Sequence, residues 1–424
     1  MSHLYPKLNT RFDPMSGSST RSLRMRFEQE RRRDREALFL GCRRLLSFRT
    51  IRCKNSHIVK IPMSQSEIGV AIIGTGFGQK VHIPGLQAHH RTRVVAVYHR
   101  EFAKAKAIAH AHNIPHACQS VEAIAALPEV QAVSISTPPF LHYEMAKTVL
   151  NAGKHLLLEK PTTLNVTEAE ELQDLAIAKE LSTTMNFEFR CIPAWQRLQE
   201  LLSEGYVGKP RLIKVDWLVS GRADASRPWN WYAQKDKGGG ALGAIGSHVF
   251  DYIAWLFGSI QRLNARLIVS VPQRPNPASG GTLKPVDADD VCLIMLELAD
   301  GTPCQVTLSA ATYQGRGHWL EVYGDRGTLI LGSDNQKDYV HGFNLLGSQT
   351  GDPLATLEIP DRLAFPQTWD DGRIAPFVRI IDRWVQGIDQ GKSLAPSLQE
   401  GVYSQLLMDL AHLSNQRGTW VEVP

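Results

Sequence analysis

The sequence predicts an α/β chain that opens on a doubly wound parallel sheet and continues into an α+β region with antiparallel hairpins. Three observations carry that reading. An unbroken apolar run, IGVAIIG at 68–74, ends on a glycine turn. Strand-like and helix-like segments then alternate until about residue 185, the pattern of βαβ units. Beyond it, strands alternate apolar and polar residues and pair across tight turns, as in VCLIMLELADGTPCQVTLS. A chain of 424 residues exceeds one ordinary core. The expected division is a basic extension at 1–62, a first domain at 63–185 and a second at 186–424 whose last segment packs back on the first.

The first strand must be buried on both faces, because nothing polar interrupts it. GTGFGQ follows it: Gly74 permits a sharp turn, and Gly76 lets the backbone approach a pyrophosphate at a helix N-terminus. Gly78 stands one place ahead of the usual third small residue, with Phe77 beside it; Pro84 keeps the next helix short. The second strand, RVVAVYH at 93–99, ends on Tyr98-His99-Arg100 rather than on a carboxylate. An acid there binds ribose hydroxyls, whereas an arginine clamps a 2′-phosphate. His99 and Arg100 therefore point to NADP in preference to NAD. A short strand, a helix and a strand at 130–137 follow, then a helix at 141–152 with Gly153 as its natural stop. HLLLEK is a further buried strand. Thr137, Pro138 and His142, with Glu159 and Lys160, fall at the C-terminal strand ends where such sheets bind ligands.

MNFEFR is read as a strand, and Pro193–Gly205 as a helix with an apolar stripe at Trp195, Leu198, Leu201 and Leu202. RLIKVDWLV alternates as a sheet strand. GRADASRPWNWYAQKDKGGG is a long loop in which Trp229, Trp231 and Tyr232 either stack on a sugar ring or a tetrapyrrole or cap the core. Arg190, Arg222 and Arg227 either recognise an anion or form ordinary ion pairs. GGGALGAIGSHVFD enters a helix that bears His248. GHWLEVYGDRGTLILG is a second hairpin, and Tyr313 and His318 stand at the start of its first strand. FVRIIDRWVQGI and SLQEGVYSQLLMDLAHLSNQ are amphipathic helices.

Composition excludes several functions. The net charge of +5 is carried by residues 1–62, which hold 15 Lys and Arg against 5 Asp and Glu. That leaves 32 of the 47 basic and 37 of the 42 acidic residues for the rest, an acidic balance that argues against nucleic-acid binding. The extension reads as an over-long start ahead of Met63, against two competing readings, a targeting peptide or an anchor to an acidic surface. No apolar run reaches the ~20 residues of a membrane span. The six cysteines form no CxxC pair and no zinc-like cluster, so no metal is expected and a reducing cytoplasm is.

From residue 67 onward the chain resembles the glucose–fructose oxidoreductase, inositol dehydrogenase and rhizopine-catabolism family (Gfo/Idh/MocA). The matching pieces are GVAIIGTGFG, STPPFLHYEMAKTVLNAGKHLLLEKP, GKPRLIKVDW, GGGALGAIGSHVFD, EVYGDRGTLIL and PSLQEGVYSQLLMDLAHLSNQRGTWVEV, in that order. The resemblance implies a Rossmann domain followed by an α+β domain with a large, open, mostly antiparallel sheet that makes homo-oligomer contacts, in a dimer or tetramer. It implies a nicotinamide cofactor and hydride transfer with a sugar-like, polyol or related small substrate. It places Lys160, in Glu159-Lys160-Pro161, beside the nicotinamide. A positioned lysine or histidine serves proton transfer in either direction. The family's acid four residues before His248 is replaced by Ala244, with Asp251 the nearest other acid on that helix. That exchange leaves a second reading open: a dinucleotide-binding regulator without turnover.

Overall fold

Short apolar strands need a sheet covered on both faces, and the first half of the chain builds one. The computed structural model describes residues 66–335 and 342–424. The basic stretch at 1–62 lies outside the described residues. β1 (Ile68–Ile73), β2 (Thr92–Tyr98), β3 (His116–Cys118), β4 (Ala132–Ile135), β5 (His155–Leu158) and β6 (Thr183–Met185) pair in the order β3-β2-β1-β4-β5-β6. Every pairing is parallel, and the order reverses direction between β1 and β4. Such a switch point opens a crevice at the C-terminal strand ends. The crossovers are α1 (Ile83–Ala88), α2 (Phe102–Ala111), α3 (Val121–Ala125), α4 (His142–Asn151) and α5 (Val166–Ala178). Local chemistry sets their ends. The Asn165 side chain accepts the Glu168 amide at 3.0 Å, and Gly153 closes α4 at φ +72°.

MNFEFR is not a strand. β6 stops at Met185, Phe187 N–H turns back to the Met185 carbonyl at 2.9 Å, and Glu188–Cys191 is a 3-10 turn. The alternation that suggested a strand has another cause. Phe187 joins the core beneath the first sheet and Phe189 the core of the second, so tertiary packing on two sides bends the backbone between them.

The second half follows α6 (Pro193–Ser203) and carries β7 (Pro210–Leu218), α7 (Ser247–Phe257), β8 (Ile260–Ile268), β9 (Gln273–Pro275), β10 (Leu283–Pro285), β11 (Val291–Leu298), β12 (Pro303–Ser309), β13 (Gly317–Gly324), β14 (Gly327–Ser333), β15 (Asn344–Gln349), β16 (Ala355–Thr356), α8 (Ile374–Gln390), α9 (Leu398–Arg417) and β17 (Val421–Glu422). Nine of these strands form one sheet in the order β16-β15-β14-β13-β7-β12-β11-β8-β17; β9 and β10 pair separately. Only β7 with β12 is parallel. Alternation puts Ile213, Val215 and Trp217 of β7 into the core beneath α6 and α7, while Leu293 and Met295 of β11 are 46% and 40% exposed on the outer face.

The two terminal helices hold this arrangement. Phe377, Ile380, Ile381 and Trp384 of α8 pack into the core beside α1, where a Cβ at Gly85 would stand 2.7 Å from the Phe377 ring. A reciprocal Ser397–Glu400 capping box starts α9, a motif that contributes about 1 kcal/mol. Leu407, Met408 and Ala411 of α9 belong to the core of the second sheet.

Candidate active site

The glycine turn after β1 is shaped by its surroundings. Gly74 adopts φ +95°, and a Cβ there would sit 2.6 Å from the Ser136 backbone. A Cβ on Gly78 would meet Ser136 Oγ at 2.5 Å, so Gly78 supplies the close helix–strand approach. A Cβ on Gly76 would meet nothing within 4 Å, which leaves that backbone bare for a ligand. Phe77 lies half-buried between the His82 ring and the Arg373 guanidinium. Together these residues fit a dinucleotide: a tight turn, an open cradle and strand ends facing it. Gly74→Val forces both a clash and a disfavoured φ. We expect a loss of about 1–3 kcal/mol of stability and of NADH affinity, read by urea unfolding and by fluorescence titration.

At the end of β2, His99 Nδ1 accepts the Glu101 amide at 2.9 Å. The Arg100 side chain is 85% exposed, with Glu101 3.9 Å away. Glu101 pairs more closely with Lys104, at 2.9 Å.

Lys160 emerges at the end of β5, half-buried, and its Nζ donates to the Ala244 carbonyl at 3.2 Å. Its neighbour Glu159 is buried and held from three sides. Oε1 lies 3.0 Å from His82 Nε2 and accepts from Asn186 Nδ2 at 2.5 Å, while Oε2 accepts the Lys160 amide at 3.2 Å. His82 Nδ1 in turn meets Ser134 Oγ at 2.7 Å. Burial alone would raise the Glu159 carboxyl, but His82, Lys160 and Asn186 together hold it below the ordinary carboxylate range. Glu159 is therefore a buried anchor for the lysine's backbone. His142 has a similar part. It is fully buried, with Nδ1 2.9 Å from the Pro161 carbonyl and Nε2 2.8 Å from that of Thr137. Its ring clamps together the loop at half-buried Thr137 and Pro138 and the loop after Lys160.

The glycine run reaches Lys160 from the other side. Residues Leu242–Gly246 form a wide π turn ahead of α7, a distortion common at functional sites. Asp289 fixes its start, accepting the Leu242 amide at 2.8 Å on Oδ2 and the Ala241 amide at 2.8 Å on its own carbonyl. Ala244 brings no carboxylate, yet its main chain is what the lysine binds. His248, 5% exposed, is walled by Phe189 at 4.9 Å, Phe187 at 6.1 Å and Trp217 at 6.2 Å. Its Nδ1 is buried without a partner, so Nε2 is the ring nitrogen left accessible. Burial first, then the charge of Lys160, push the imidazole well below its usual range. A neutral imidazole close to an amine can donate or accept a proton at a substrate oxygen.

Asp251 does not partner His248. It forms a two-pronged pair with Arg190, at 2.9 and 2.6 Å, both side chains buried. Burial opposes the guanidinium's charge, but Asp251 and Glu400 hold it above its ordinary range. Arg190, one of the arginines expected either to recognise an anion or to form an ion pair, is here paired with Asp251 and lies near Trp255. The loop aromatics are also engaged. Trp229 Nε1 donates to the Pro285 carbonyl at 3.0 Å beneath Lys284, and Arg222 lies 3.5 Å over the Tyr232 ring, itself 5.6 Å from Trp231. No hydrogen bond or ring contact among the described residues links Trp229, Trp231 or Tyr232 to Lys160 or His248. His318 stacks on Trp217 at 3.9 Å and reaches the Tyr252 hydroxyl at 3.1 Å; burial pushes it down to about 3. Tyr313 is 69% exposed.

Sequence reasoning missed His82, Asn186, Glu188 and Asp289. The available signal was polar residues inside apolar strand-end segments, QKVH, MNFEF and DADD. Among the described residues no His, Cys, Asp or Glu group could hold a metal ion, and Cys118, Cys191, Cys292 and Cys304 are free.

A parallel sheet with a bare glycine cradle at its switch point fits a dinucleotide-binding oxidoreductase. Residues 68–187 match the model of an oxidoreductase family, NAD-binding Rossmann fold, and residues 199–423 its C-terminal alpha/beta domain. The chain belongs to the Gfo/Idh/MocA oxidoreductase family. An uncharacterized oxidoreductase of Synechocystis sp. is 54% identical over 355 residues, 84% of this chain and 96% of its own length. Levoglucosan dehydrogenase of Pseudarthrobacter phenanthrenivorans is 28% identical over 319 residues, 70% of this chain and 81% of its own. The solved structure of levoglucosan dehydrogenase in complex with NADH and levoglucosan shares the fold, with a TM-score of 0.76 at 24% identity over 85% of this chain and all of that one.

Proposed function

We propose that this oxidoreductase transfers hydride between a bound nicotinamide and a small hydroxyl or carbonyl compound of the sugar or polyol class. Lys160 is its chief proton-transfer residue and His248 assists it. One observation carries the reading: Lys160, at the end of β5, reaches the Ala244 main chain one turn ahead of His248 on α7, and its charge acts on that imidazole although residue 244 supplies no acid. The nicotinamide, when bound, takes or gives the hydride; the protein handles the proton and the oxygen. In the oxidising direction the hydroxyl proton passes to Lys160, and the neutral His248 Nε2 steadies the substrate oxygen. In the reducing direction Lys160 stabilises the developing charge on that oxygen. Glu159, His142 and Asn186 keep the lysine's loop in place. Gly74, Gly76, Phe77, Gly78, Thr137 and Pro138 line the dinucleotide's path. The lysine's bond to the Ala244 main chain weighs against a regulator without turnover, because the amine keeps a positioned partner.

Cofactor choice rests on residues 98–100. No carboxylate stands there, and the exposed Arg100 has only a long contact with Glu101, which supports NADP over NAD. Arg100→Asp is expected to weaken NADPH binding about tenfold or more and NADH binding little, since a charge-assisted phosphate contact is lost. Fluorescence titration of the full chain with both nucleotides checks this; equal losses for the two would refute the assignment. Turnover screening with sugars and polyols tests the reaction itself.

The chain is further read as dividing at residue 185, where β6 ends, and as a cytoplasmic homo-oligomer, a dimer or tetramer. Exposed Leu293 and Met295 on the outer sheet face support the assembly. Among the described residues no helix is long and apolar enough to cross a membrane.

A further inference from the structure

Of Arg190, Arg222 and Arg227, only Arg190 meets a carboxylate. Arg222 and Arg227 gather with a third guanidinium around one bend of the loop after β7. Arg227 Nη1 donates to the Gly221 carbonyl, and Arg274 of β9 donates to the carbonyls of Arg222 and Asp224 at 2.5 and 2.7 Å. Arg222 is half-buried, its guanidinium 3.5 Å over the Tyr232 ring. Neutral carbonyls and a ring face hold these groups in place without cancelling their charge. None of the three forms an ion pair among the described residues. Asp224, the acid of that bend, turns its carboxylate to the Ser226 amide and hydroxyl, at 2.8 and 2.7 Å. Arg274 is only 4% exposed, and an arginine so buried ordinarily has an anionic partner.

The surrounding charge is of the same sign. Residues 221–237 and 273–287 hold six Lys and Arg against three Asp, on a body that is otherwise acidic. Such a patch draws anions. The bend is also tied to the candidate active site. The Tyr232 carbonyl accepts the Gly240 amide at 3.1 Å, the Gly240 carbonyl accepts the Ala244 amide at 3.2 Å, and the Ala244 carbonyl accepts Lys160 Nζ. A Cβ on Gly238 would stand 2.9 Å from Pro139, so the same loop abuts the strand end at Thr137 and Pro138.

We propose that Arg222 and Arg227, backed by Arg274, bind an oxyanion, the carboxylate or phosphate group of the substrate. That the occupant is the substrate rests on the hydride-transfer reading above, which it narrows to acids and phosphates of sugars and polyols. Guanidinium groups match the two-oxygen edge of such anions. Burial, and then the charges of Arg227 and Arg274, pull the Arg222 guanidinium below its ordinary range, with Tyr232 opposing. A bound oxyanion relieves that repulsion.

The test is binding without turnover. The full-length chain, with and without NADPH, is titrated calorimetrically with D-gluconate, β-glycerophosphate, inorganic phosphate and uncharged sorbitol. Gluconate or glycerophosphate is expected to bind about tenfold or more tightly than sorbitol, and less tightly as salt is raised. Arg222→Gln and Arg227→Gln are each expected to weaken that binding about tenfold, while NADPH affinity changes less than about threefold. Arg222→Lys keeps the charge but loses the fork, and should fall between. Arg227 is exposed, so its Gln variant carries the test if Arg222→Gln does not fold. No binding of either organic anion, or equal binding by wild type and the Gln variants, would overturn the proposal. Inorganic phosphate binding as tightly as both would show an adventitious ion only and overturn it too. Anion binding lost in Arg222→Gln, in a chain that transfers no hydride, keeps the site and rejects the reaction. Turnover of uncharged polyols at an unchanged KM in Arg222→Gln keeps the reaction and rejects the site.

Discussion

Lys160→Met is expected to lower kcat about 10³-fold, within the range for removing a positioned acid–base group, with NADH affinity changing less than about threefold. On the proposed reading the lysine supplies the proton-transfer amine; its Nζ donates to the Ala244 carbonyl. Removing it costs at most about 1 kcal/mol of stability, since one half-exposed bond is lost. Steady-state kinetics beside a nucleotide titration separates the two effects. A variant that keeps more than about a tenth of wild-type kcat would transfer the chemistry to His248. His248→Asn should cost less, because its buried Nδ1 has no hydrogen-bond partner among the described residues to orient the ring, which lies behind aromatic walls.

The second large effect is on folding. Asp251→Ala is expected to destabilise the protein by about 3–5 kcal/mol, the cost of leaving the buried Arg190 charge unpaired. That is on the order of 10 °C in Tm. The double replacement Arg190→Met with Asp251→Leu should recover much of it, since a well-packed apolar pair avoids desolvating two ions. Differential scanning calorimetry checks both. A substrate-binding Arg190 would behave otherwise, raising KM with little change in Tm; the two-pronged bond to Asp251 argues against that.

The first sheet was legible because its evidence is local. IGVAIIG has no polar residue to expose, and Gly74 and Gly153 occupy positions where φ is positive. The hairpins at 291–309 and 317–333 were legible for the same reason, since alternation and a tight turn lie within one short stretch. MNFEFR failed because its alternation serves two cores at once. Arg190 and Asp251, 61 residues apart, meet only when α7 packs behind the turn after β6.

Fold class, the glycine cradle and Lys160 at a strand end were determined by the sequence alone, because each depends on neighbours a few residues away. Tertiary structure alone decided which polar groups meet: Asn186 and His82 on Glu159, Asp251 on Arg190, Asp289 at the glycine run. Burial of charge is the reason. In water these side chains need no particular partner, and only inside a low-dielectric interior does the cost of an unpaired group dictate who stands next to whom.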